Sequence, residues 1–113
     1  MAVSGNEVRI LHMYAKGVMD RADHHAGEVK GVALALLGGI IWRGDPGTIA
    51  IKQYDGSLAN VLWVEIEGKR YAFAFNHDTN EIEIRDRTQS GPPLHSFTNK
   101  TPVSDVEAVF RKL

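Results

Sequence analysis

Asp20-Arg21-Ala22-Asp23-His24-His25 sets five ionisable side chains just ahead of a nearly uncharged apolar stretch, Val32 to Trp42. Imidazole beside carboxylate is the usual material of proton transfer near neutral pH and of metal ligation. On a continuous helix Asp20 and His24 stand one turn apart on the same face and supply two ligands, where a metal site needs three or four. His12 cannot be the third, because it lies about 16 Å along the axis from Asp23 at roughly 1.5 Å per residue. The remaining donors, His77, Asp78 and His95, belong to strand ends whose distance no spacing rule fixes. No metal and no cofactor are therefore expected. Three readings of the cluster stay open: a solvated helix end with His25 bonded to backbone, an acid–base or ligand-binding site drawing on His25, His77, Asp20 and Asp23, and, least favoured, a metal site.

The elements that must carry these residues follow from periodicity. Ser4 and Glu7 have the spacing of a capping box, and Val8, Leu11, Ala15, Val18 and Ala22 then recur at helical steps. Gly27 interrupts that helix, and a second begins near Glu28. From Val32 to Trp42 the second helix has no polar side chain, so it must be covered on every side. Its rival is a break at Gly38-Gly39 followed by a short strand, Ile40 to Trp42. After the turn at Asp45-Pro46-Gly47 the period becomes two.

Thr48 to Tyr54 reads as a strand, with a turn at Asp55-Gly56. Asn60 to Glu67 and Arg70 to His77 flank Gly68-Lys69 as a tight hairpin. That register pairs Ile66 with Tyr71, Val64 with Phe73 and Leu62 with Phe75, all on one face. Glu81 to Arg87 follows, and an even-numbered connection keeps Ile82 and Ile84 on the same side. Leu94 to Thr98 forms a last edge strand. Thr101-Pro102 caps a terminal helix burying Val103, Val106, Phe110 and Leu113. The expected fold is α+β, two N-terminal helices and a C-terminal helix on one face of an antiparallel meander of four to five strands, in a single domain spanning residues 1–113.

His77 continues the aromatic row Tyr71-Phe73-Phe75, so His25 and His77 would meet across an aromatic pocket if the helix junction overhangs that rim. On the other side of the sheet, Trp63 stands over Ala72 and Ala74, with Trp63 set against Ala74. A shallow apolar patch in place of a charged face marks a ligand surface or a subunit contact. His24 and His95 are further candidates for such a surface. Together with the all-apolar helix, the patch predicts a homo-oligomer, most simply a two-fold dimer.

Composition removes other classes. The 113 residues are 43% hydrophobic and 24% charged, with 13 basic against 14 acidic side chains and a net charge of −1. No basic stripe suits nucleic acid. No cysteine is present, so thiol nucleophiles and thiolate metal sites are excluded. No signal peptide is visible, and an eleven-residue apolar run is about half a membrane span. A cytoplasmic, membrane-free protein is expected. Nucleophile elbows, phosphate loops and dinucleotide fingerprints are lacking.

The succession MDRADHHA (19–26), LALLGGIIWR (34–43), NVLWVEIEGKRYAFAFNH (60–77) and LHSFTN (94–99) resembles small proteins encoded on bacterial integron gene cassettes. That resemblance implies a small, often self-associating cytoplasmic protein of unassigned activity, and it transfers no site residue. The leading expectation is an oligomeric binding module for a small molecule or a protein partner. The alternative is a small dehydratase, isomerase or hydrolase using the histidines.

Overall fold

Alternating apolar residues build one five-stranded antiparallel sheet, and helical apolar stripes close its inner face. In the computed structural model, residues 5–25, 29–51, 61–76 and 78–113 are described, with side chains of the first helix described for residues 7–17 and 19. The order is α1 (Gly5–His25), α2 (Lys30–Arg43), β1 (Ala50–Ile51), β2 (Val61–Ile66), β3 (Lys69–Asn76), β4 (Glu81–Asp86), β5 (Pro93–Phe97) and α3 (Val103–Lys112). Strands neighbour one another in sequence order, as a meander requires. The α+β arrangement is the one expected. The expected strand 48–54 is described only as β1, and the turn at Asp55-Gly56 falls within 52–60, outside the described residues.

The core uses one face of the sheet. Leu62, Val64 and Ile66 of β2, Tyr71 and Phe73 of β3, Ile82 and Ile84 of β4, and Phe97 of β5 are buried there. Leu11 and Tyr14 of α1, five residues of α2, and Val106 and Phe110 of α3 belong to the same cluster. Phe73 and Phe110 stack with ring centroids 6.0 Å apart. Phe73 pairs with Ile84 and Phe75 with Ile82, and four positions separate Asn76 from Glu81. The required even connection is therefore present.

The hairpin between β2 and β3 turns one residue earlier than expected, which slips the pairing register by two. Ile66 pairs with Lys69, Val64 with Tyr71, Leu62 with Phe73, and Trp63 with Ala72 rather than Ala74. The turn residues are Glu67 (φ 52°) and Gly68 (φ 76°). Two successive positive φ angles define a type I′ turn, which suits the strand twist and favours glycine at the second position. Placing Gly68 first would have put Lys69 there instead. A slip of two leaves every side chain on its own face.

Three local expectations are corrected by tertiary contacts. On α1, Glu7 is buried and Val8 exposed, because the Glu7 carboxylate accepts the Gly47 N–H. Ser4, its expected capping partner, is outside the described residues. At α3, Pro102 occupies the N-cap position, and the Thr101 hydroxyl turns back to accept the Thr98 N–H at 3.0 Å. Val103 is exposed rather than buried. Ahead of α3, the Asn99 Oδ1 accepts the Val32 N–H at 3.0 Å and lies 3.4 Å from where a Cβ on Gly31 would be.

α2 is one unbroken helix through Gly38-Gly39. It touches both α1 and α3. Its inward side carries Val32, Ala33, Leu36, Leu37 and Ile40. Gly39 faces Phe110, while among the described residues nothing lies within 4 Å of a Cβ built on Gly38.

Candidate functional site

α1 runs through Asp20, Asp23, His24 and His25 without a break. The side chains of those four residues, and His77 altogether, lie outside the described residues, as does the postulated His25–His77 pocket. His12, Asp78 and His95 are exposed. His95 pairs with Ile84 and Ser96 with Glu83, so the two point to opposite faces. The His95 ring lies 6.4 Å from that of Phe97. Among the described residues no three His, Asp or Glu side chains converge as metal ligands do.

Between helices and sheet lies a cavity of about 10 Å³ lined by Tyr14, Ala33, Leu36, Leu37, Ile40, Phe73 and Ile82. This is room for one water and not for an organic substrate. Burial pushes the Tyr14 phenol well above its ordinary range. Tyr14 was readable from its spacing, three residues beyond Leu11 on the buried side of α1.

The outer face of the sheet is closed by the chain itself at its centre. Ala72, Ala74 and Val61 are buried there, and Trp63 is half-buried with the Arg70 guanidinium 5.5 Å from its ring centroid. Glu83 is buried as well. Its Oε1 accepts from Arg85 Nε at 2.9 Å and Oε2 from Asn76 Nδ2 at 3.2 Å, while Arg85 Nη1 donates to the Gly91 carbonyl at 3.0 Å. A carboxylate withdrawn from water needs this set of partners. The ion pair is thus internally satisfied, and its donors are committed to groups within the chain.

α2 presents the opposite situation. Leu34, Ile41 and Trp42 are 55%, 51% and 47% exposed. At about 100° per residue, Leu34, Gly38, Ile41 and Trp42 fall within one arc roughly 100° wide, pointing away from the core. No charged side chain interrupts the helix between Lys30 and Arg43. At the end of the arc the guanidinium carbons of Arg43 and Arg111 lie 5.9 and 5.2 Å from the Trp42 ring centroid. The sequence carried this signal in its missing charges.

Among the described residues, three helices and a five-stranded antiparallel meander define a small α+β protein. A family model described as integron cassette protein VCH_CASS1 chain matches residues 11–107, and the chain belongs to that integron cassette family. Membership fixes the lineage and assigns no chemistry. No curated protein matches the chain. Among the described residues no helix is long and apolar enough to cross a membrane.

Proposed function

We propose that this protein is a self-associating interaction module whose contact surface is the outer arc of α2. The observation that carries the reading is the shared exposure of Leu34, Ile41 and Trp42 on one helix face. Scattered apolar residues are ordinary on a surface, whereas a contiguous apolar arc free of charge is the mark of a contact. Tryptophan flanked by arginines is also the composition enriched at protein interfaces. The sheet's outer face is the weaker choice, because Trp63 is half-buried and the alanines beside it are covered.

Light scattering and sedimentation at micromolar concentration test the reading. The wild-type chain is expected at twice its monomer mass or more. Leu34→Glu is expected to run as a folded monomer, and Trp63→Glu to keep the wild-type mass. A monomeric wild type, or dissociation by Trp63→Glu but not by Leu34→Glu, would overturn it.

A further inference from the structure

The same arc has a centre. Gly38 lies midway between Leu34 and Trp42 along the helix, close to the middle of the exposed sector, and among the described residues nothing approaches within 4 Å of its missing Cβ. Bulk on either side of a gap is a self-complementary profile: the gap admits the backbone of a second helix, and the flanking side chains cover it. We infer that the partner of α2 is α2 of a second copy, crossed antiparallel about a two-fold axis at Gly38. This rests on the self-association reading and adds its geometry.

The helix dipole sets the direction. At the Trp42 end both cations are paired within the chain, Arg111 with Glu107 at 2.8 Å and Arg43 with Glu67 at 3.4 Å. A parallel pair would set like helix ends against each other. An antiparallel pair carries the two ends apart and aligns each helix dipole against its opposite. Leu34 of one copy then covers Trp42 of the other. An unlike partner would need no such symmetry about Gly38.

The chain contains no cysteine, so a single introduced thiol reports on its own copy alone. With helix axes about 8 Å apart, the two Gly38 positions fall within the roughly 7 Å Cα separation that a disulfide spans. The two Leu34 positions would be eight residues apart along the axis, about 12 Å, and out of reach. Under mild oxidation Gly38→Cys is expected to give a covalent dimer in at least tenfold greater yield than Leu34→Cys. An equimolar mixture of Leu34→Cys and Trp42→Cys proteins is expected to give the mixed dimer, which keeps the test alive if Gly38→Cys folds poorly.

Efficient cross-linking of Leu34→Cys to itself would mean a parallel pair and overturn the inference. A wild type that is dimeric by light scattering, with neither Gly38→Cys nor the mixture cross-linking, would overturn the axis and leave self-association standing. A wild type monomeric by light scattering removes both and points to an unlike partner.

Discussion

A Cβ on Gly39 would lie 2.4 to 2.6 Å from three ring carbons of Phe110. The ring cannot retreat, because Phe110 is wholly buried and stacked on Phe73. Gly39 is thus the notch through which α3 docks on α2. Its neighbour Gly38 has only the entropic cost of glycine in a helix and no steric reason to be small within one chain. In the Leu34→Glu background, where association does not intervene, Gly39→Ala is expected to destabilise by about 1–3 kcal/mol, the usual cost of overpacking. Gly38→Ala is expected to stabilise by roughly 0.5–1 kcal/mol. Urea midpoints for the two variants check the opposite signs.

The far end of the same contact is held by Arg43. Its Nη1 donates to the carbonyls of Phe110 and Arg111 at 3.0 and 3.1 Å, and Nη2 donates to that of Leu113 at 3.1 Å. These are carbonyls of the last turn of α3 and its C-cap, where the helix supplies few donors and Phe110 accepts in addition only the long Leu113 N–H bond at 3.4 Å. A guanidinium there satisfies them and complements the negative end of the dipole. Arg43→Met keeps the stem and removes the donors, and about 1.5–3 kcal/mol of stability is expected to go with them. Fraying of α3 would appear as faster amide exchange over residues 109–113. Wild-type exchange rates in the variant would show that the capping bonds contribute nothing.

Glu67 is the first residue of the type I′ turn and carries φ 52°. Asparagine adopts that conformation far more readily than glutamate, and Asn-Gly is the preferred pair for this turn. The Glu67 carboxylate reaches Arg43 Nη2 only at 3.4 Å and is 78% exposed, so its loss matters little. Glu67→Asn is expected to raise stability by about 0.5 kcal/mol, within the range of surface substitutions. A fall in the thermal midpoint would show that the exposed ion pair outweighs the turn.

What could be read from the sequence was whatever a two-residue or 3.6-residue period encodes. The strand faces, the order of elements, the even connection before Glu81 and the helix through Gly38-Gly39 all follow from apolar spacing. The hairpin register does not, because a slip of two returns every side chain to the same face, and only the turn's demand for glycine at its second position separates the two choices. The buried stripe of α1 is displaced from Val8 to Glu7 by a hydrogen bond to Gly47, forty residues away. The Asn99 side chain, ahead of α3, accepts the Val32 N–H at the start of α2, 67 residues away. Local pattern has no access to such contacts. The exposed apolar arc of α2 was legible in part: the absence of charge from Val32 to Trp42 marked the helix, while which of its sides stays bare depends on α1 and α3.

Tyr14 gives the fold a pH dependence whose sign can be worked out. Burial holds its phenol protonated beyond the ordinary value of 10.0. In the unfolded chain the same group ionises near that value. Above pH 10 the native state therefore binds more protons than the unfolded state, and stability falls as pH rises. The contribution is fully present below about pH 10, and its limiting loss is about 1.4 kcal/mol per pH unit. Tyr14→Phe removes the titrating group while keeping the ring against Phe73 and Ile82. The stability difference between wild type and Tyr14→Phe, from urea unfolding, is expected to be constant from about pH 7 to 9. It is expected to shift against the wild type by roughly 1 kcal/mol for each unit above pH 10. Parallel stability curves across that range would mean that the phenol ionises inside the folded protein, and that the space around it opens to water.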